Sequence, residues 1–212
     1  MGFRRSTIFT LFAAASLAGC SGEDVGQLPA VGAQMNETTV SGISSGAYMA
    51  GQFQMAHAKI VTGAAIIAGG PYGCAESAFA GMVIGPFATM LNASKAISGC
   101  MQNAMAAWGV PNAALLADKA IARAADGRID ATADVLTDRV YLFSGTKDRT
   151  VAPAIVASAV EFYRRLGVPD ANIRFVSDMP AGHAFVTETE GATCSTSDQP
   201  YIVDCDYDQA RD

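Results

Sequence analysis

Residues 61–68 (Val-Thr-Gly-Ala-Ala-Ile-Ile-Ala) form a continuous apolar run that stops abruptly at Gly69-Gly70-Pro71. A run this short, rich in β-branched residues and closed by turn formers, reads as a strand buried on both faces, which requires cover on each side of a sheet. The rest of the chain fits that demand. Thr38, Thr39 and Val40 lead a strand near 37–42, and a helix near 46–58 follows with Tyr48, Met49, Phe53 and Met55 or Ala56 on its inner surface. Residues 76–135 are alanine-rich and helical, interrupted at Pro86 and Pro111. Arg139 to Ser144 is a second strong strand. Pro153 suits the first turn of a helix running to Leu166, stopped by Gly167-Val168-Pro169. Asn172 to Ser177 is the last clear strand. Strands alternating with helices argue an α/β fold, a mainly parallel sheet with helices on its faces.

The sequence Gly42-Ile43-Ser44-Ser45-Gly46 lies between the first strand and the first helix. This is the G-x-S-x-G pattern of a nucleophile elbow, in which a serine occupies a strained strand-to-helix turn. Glycines at both flanking positions are expected to let the backbone bend without a Cβ clash. The turn would expose the Ser44 hydroxyl and set the backbone N–H of Ser45 toward a developing oxyanion.

A serine hydroxyl needs a base, and the base needs a third group to hold it. Only two histidines exist. His57 sits at the far end of the helix after Ser44, about 20 Å away at 1.5 Å per residue. His183 falls in the loop after the last strand, preceded by Gly182, which permits an unusual backbone angle, and is the better base. Asp148, in the loop after the second strong strand, is the preferred orienting acid. Its rival Asp178 lies too close to His183 along the same strand end. The order Ser44, Asp148, His183 is that of α/β-hydrolases.

The N-terminus reads as a leader. Arg4 and Arg5 precede an apolar stretch from Ile8 to Leu17, too short for a membrane span of about 20 residues. It ends Leu17-Ala18-Gly19-Cys20, a lipobox, so residues 1–19 are expected to be a lipoprotein signal peptide with Cys20 lipidated. Residues 20–36 read as a tether and 37–212 as one catalytic domain. The only membrane association expected is through that lipid. Four cysteines remain, Cys74, Cys100, Cys194 and Cys205, and three pairings are possible. The sequential one, Cys74–Cys100 and Cys194–Cys205, is preferred because each bridge clips a local loop. Their spacing lacks a C-x₂₋₄-C pair, so no zinc or other metal is expected, and no cofactor. Asp126-Gly127-Arg128-Ile129-Asp130 lacks the further acidic ligands of a calcium loop and reads as a turn. Met82, Met90, Met101, Met105 and Trp108 read as core or cap residues rather than a substrate surface.

With 14 Lys and Arg against 20 Asp and Glu, two of the bases in the leader, the chain has no basic face for nucleic acid. A neutral or water-insoluble substrate is easier to reconcile with that balance. The oligomeric state is not legible.

The stretches Val40-Ser41-Gly42-Ile43-Ser44-Ser45-Gly46-Ala47-Tyr48-Met49-Ala50, Ala68-Gly69-Gly70-Pro71-Tyr72-Gly73-Cys74, Tyr141-Leu142-Phe143-Ser144-Gly145-Thr146-Lys147-Asp148, Ala181-Gly182-His183-Ala184 and Asp204-Cys205-Asp206-Tyr207-Asp208 together resemble extracellular poly(3-hydroxybutyrate) depolymerases. The similar ones are the circularly permuted, single-domain type of the α/β-hydrolase superfamily. The resemblance runs from about Thr38 to Gln209. It implies a three-layer, circularly permuted α/β-hydrolase fold, with Ser44 as nucleophile, Asp148 as acid, His183 as base and Ser45 N–H in the oxyanion hole. It further implies an exported serine esterase acting on a short-chain polyester. A small-molecule carboxylesterase or lipase, and a non-catalytic lipoprotein that binds apolar material, are the alternatives. Relatives of this type continue past the Asp-Tyr-Asp-Gln stretch into further strands and a His-Gly oxyanion segment. The expectation is therefore a C-terminally partial domain with an incomplete sheet.

Overall fold

The computed structural model describes residues 31–78, 85–102 and 109–211. The leader, Cys20, Met82, Met105 and Trp108 lie outside these residues. Residues 34–212 cluster as one compact unit. Its main sheet has four parallel strands in the order β1-β2-β3-β4: β1 (Thr38–Ile43), β2 (Val61–Ile67), β3 (Arg139–Phe143) and β4 (Ile173–Val176). Between them run α1 (Ser45–Ala56), α2 (Pro86–Ser94) continuing as π-helix over Lys95–Gln102, α3 (Ala113–Ala125) and α4 (Pro153–Leu166). α4 begins with Pro153 and ends where Gly167 takes a φ of 99°, so its N–H can return to the Arg164 and Tyr163 carbonyls.

Strands that follow one another in chain order, joined by crossovers of one hand, carry every crossover helix on one side of the sheet. The packing shows this for α1, α3 and α4. Ile66, Val140 and Leu142 pack with Met55 of α1, Leu116 of α3 and Ile155, Phe162 and Tyr163 of α4. The alternate residues Ile67, Tyr141, Phe143 and Val176 face the other way, onto Ala181, Ala184, Val186 and Val203. Among the described residues the second face carries a small parallel sheet, β5-β7-β6, built from β5 (Phe185–Thr187), β6 (Ala192–Thr193) and β7 (Ile202–Asp204). Strands of two or three residues are too short to show a period, which is why the sequence does not reveal them.

α1 also departs from expectation. Met49 is 67% exposed and Phe53 38%, whereas Ala47, Ala50, Gly51, Gln54 and Met55 are buried. At its N-terminal end α1 lies too close to the turn after β2 for a large side chain. A Cβ on Gly69 would fall 2.5 Å from the Ala47 Cβ, so the helix turns its small face inward. Gln54 is the polar exception. Its amide donates to Asp138 Oδ2 at 2.7 Å and accepts from the Tyr163 hydroxyl at 2.8 Å, tying α1 to the start of β3 and to α4. Burial, with the Asp134 carboxylate adding to it and the Gln54 bond opposing it, pushes Asp138 up from 3.8 to about 6.

Both sequential disulfides are formed, Cys74–Cys100 and Cys194–Cys205. They fit an exported protein, since such bonds persist in oxidising compartments. Residues 126–130 form a turn around Gly127 at φ 70°, and Asp130 accepts from Lys59 N–H at 3.1 Å. Among the described residues no group of three or more His, Cys, Asp or Glu could hold a metal ion, and no helix is long and apolar enough to cross a membrane. Met90 is 62% exposed, which removes it from the core and leaves the cap alternative of the core-or-cap expectation.

Candidate active site

β1 ends at Ile43, and Ser44 turns the chain at φ 57°, ψ −122° before α1 starts at Ser45. A non-glycine residue at such angles costs about 1–3 kcal/mol and persists only where its surroundings impose it. Here Ser44 N–H donates to Ile67 O of β2 at 2.9 Å, and Ser44 O accepts the first helical bond from Tyr48 N–H at 3.1 Å. Gly42 is sterically obligatory, since a Cβ there would lie 2.3 Å from the Gly46 carbonyl carbon. Gly46 is not: its Cβ would point into open space and its φ is not positive. The expected need for glycine at both positions reduces to Gly42. Ser45 is exposed and is the first residue of α1, so its N–H has no intrahelical acceptor.

The acid and the histidine meet on adjacent loops. Asp148 follows β3 in a turn closed by its own N–H to Gly145 O at 3.1 Å. Its Oδ1 accepts from Thr150 N–H at 2.8 Å and Val151 N–H at 2.9 Å, which orients the carboxylate, and Oδ2 lies 2.8 Å from His183 Nδ1. Both side chains are buried. The turn aspartate and the histidine partner are thus one residue doing both. Asp178 is exposed at the surface, and His57 caps the end of α1, exposed, its ring 4.6 Å from that of Phe53.

Backbone closeness, not an unusual angle, explains the glycine before His183, because Gly182 does not have a positive φ. A Cβ there would strike Thr196 O at 2.2 Å, and one on Gly145 would strike Ala181 O at 2.1 Å. The two loops interlock through Thr146 N–H to Met179 O at 2.8 Å and Lys147 N–H to Ala181 O at 3.1 Å. Behind them, Gly182 N–H reaches Cys194 O at 2.9 Å and His183 N–H reaches Ser197 Oγ at 2.8 Å. The sequence reading missed Ser197, which carries no motif.

A cavity of about 470 Å³ opens beside Ser44, lined by Ser45, Tyr48, Gln52, Ile97, Met101 and Val151 among others. Met101 thus lines a cavity, where the expectation was a core or cap residue. Burial, and then the nearby Asp148 carboxylate, raise the Tyr48 phenol well above its usual range, so it stays protonated. Ser44 follows β1, Asp148 follows β3 and His183 follows β4, all beyond the carboxyl ends of parallel strands.

A strained serine after the first strand and a buried carboxylate–imidazole pair after the third and fourth define a fold of the α/β-hydrolase type. The chain is a homologue of poly(3-hydroxybutyrate) depolymerases. It is 37% identical over 184 residues to a poly(3-hydroxybutyrate) depolymerase of Delftia acidovorans, a match covering 86% of this chain and 33% of that protein. A polyhydroxybutyrate depolymerase of Talaromyces funiculosus is 31% identical over 189 residues, covering 86% and 48%. Two solved structures superpose with a TM-score of 0.65, each covering 84% of this chain and 50% of the other. One is the PHB depolymerase from Penicillium funiculosum, at 30% identity, and the other a serine-to-alanine variant of a PHB depolymerase complexed with an R3HB trimer, at 29%. No family model matches. The chain spans a third to a half of the length of the relatives it matches.

Proposed function

We propose that the chain is an exported serine esterase that hydrolyses ester bonds of poly(3-hydroxybutyrate) or a similar short-chain polyester. The observation that carries this reading is the buried Asp148–His183 pair, 2.8 Å apart, on the same end of the sheet as the strained Ser44. With Nδ1 held by Asp148, His183 keeps Nε2 for the serine. Ser44 Oγ attacks the ester carbonyl as His183 takes its proton, and the Ser45 N–H stabilises the oxyanion. The imidazolium, steadied by Asp148, then protonates the departing alkoxide. Water activated by His183 releases the hydroxyacyl group from Ser44 and restores the site. The chemistry calls for no metal or cofactor.

Homologues named for polymer hydrolysis support the substrate class, as does the largely apolar lining beside Ser44. In this reading residues 1–19 are cleaved, Cys20 carries lipid, 20–36 tether the protein and 37–212 do the chemistry. A fluorophosphonate probe should label the protein and not its Ser44→Ala variant; labelling of the variant would remove the nucleophile. Release of 3-hydroxybutyrate oligomers tests the substrate, and turnover of p-nitrophenyl butyrate without it would leave a small-ester hydrolase. Loss of metabolic palmitate labelling in Cys20→Ser tests the anchor.

A further inference from the structure

Tyr48 stands one helical turn beyond Ser44 and lines the cavity together with Ile97, Cys100 and Met101 of the segment Lys95–Gln102. Its hydroxyl donates to Cys100 O. The ring is wedged against the turn after β2, where a Cβ on Gly70 would come 2.8 Å from the hydroxyl and 2.9 Å from Cε1. Two carbonyls of the π-helical segment accept tertiary hydrogen bonds: Cys100 O from the Tyr48 hydroxyl, and Met101 O from Ala152 N–H at 2.7 Å. The disulfide to Cys74 adds a covalent tie at the same point. Three ties on two adjacent residues hold one wall of the cavity, and π-helical turns often mark functional sites. That wall presents Ile97, an apolar side chain 68% exposed, together with Met101.

We propose that Tyr48 is a positioning residue that sets the wall Ala96–Met101, and that this wall holds the units of an oligoester chain beyond the scissile bond. The proposal rests on the polyester reading for its ligand. A single-unit acyl group fills the space at Ser44 without needing the wall, whereas a longer apolar chain lies against Ile97 and Met101. Tyr48 remains a neutral donor to Cys100 O, so the clamp stays closed throughout the working range of an esterase.

The test uses a 3-hydroxybutyrate trimer binding to the full chain carrying Ser44→Ala, measured by calorimetry, so that binding is read without chemistry. Adding Tyr48→Phe is expected to weaken trimer affinity about fivefold to tenfold, the worth of one hydrogen bond. Ile97→Ala should weaken it similarly, and the double substitution by less than the product, because a released wall no longer presents Ile97. In the active protein, the ratio of kcat/KM for trimer to that for p-nitrophenyl acetate should fall by the same factor, through KM. Unchanged trimer affinity in a folded Tyr48→Phe variant, fully multiplicative effects, or no trimer binding at all would overturn the proposal. If Tyr48→Phe does not fold, the paired Cys74→Ser and Cys100→Ser variant releases the wall by another route, with the same two outcomes. Absent fluorophosphonate labelling would sink the serine-esterase reading and leave the binding result standing on its own.

Discussion

The elbow and the histidine loop reach the same rim by different means. Ser44 is held by its own neighbourhood: β1 behind it, α1 ahead of it, Gly42 giving way to Gly46, and one bond to β2. His183 is held from a distance in sequence, by Asp148 before it and by Ser197 after it, with Cys194 O taking the N–H of the adjacent Gly182. One strained geometry can be imposed by a strand–turn–helix unit by itself. Holding an imidazole against a buried carboxylate takes several segments that converge on it.

The largest expected effect lies on the histidine side. Asp148→Asn should leave the fold intact and lower kcat by about 10⁴, as removal of the aspartate does in serine proteases, because the imidazole loses its orienting acceptor. Steady-state kinetics on p-nitrophenyl butyrate measures it. On the elbow side, Gly42→Ala should cost more than about 4 kcal/mol in urea unfolding, since the new Cβ meets backbone at 2.3 Å. A stable variant would show that the elbow is less locally determined than its geometry implies.

Asp138 tests the support behind α1. Its folded pKa of about 6 lies above 3.8, so the native state holds the proton more tightly than the unfolded chain. Its stabilising contribution is complete below about pH 4 and is lost as pH rises through 6, by up to about 3 kcal/mol. Asp138→Asn should therefore gain on the wild type between pH 4.5 and 7.5 in parallel denaturation curves. Ser197→Ala leaves the His183 N–H without its acceptor and should cost about 1–3 kcal/mol, with a fall in kcat. Gly46→Ala is expected to change stability by less than about 0.5 kcal/mol, because its Cβ meets nothing within 4 Å.

The strands and helices near the elbow were legible because their signals are local: β-branched runs, Pro153 opening α4, Gly167 closing it. The small sheet β5-β7-β6 was not, and Ser197 was not, because neither repeats a pattern along the chain. Met49 and Phe53 misled the reading of α1, since hydrophobic periodicity ranks large side chains first, while the close approach at Gly69 leaves room only for the Ala47 methyl there.

By itself, then, the amino-acid order determined the alternation of elements, the turn at Ser44 and the placing of His183 after the last strand of the main sheet and His57 at the far end of α1, all of which follow from spacing along one backbone. Tertiary structure decided which face each helix buries, why Gly182 is small, and how Cys194 and Ser197 brace the histidine loop. Those are outcomes of two backbones meeting at less than a side chain's width, a distance that no single stretch of sequence encodes.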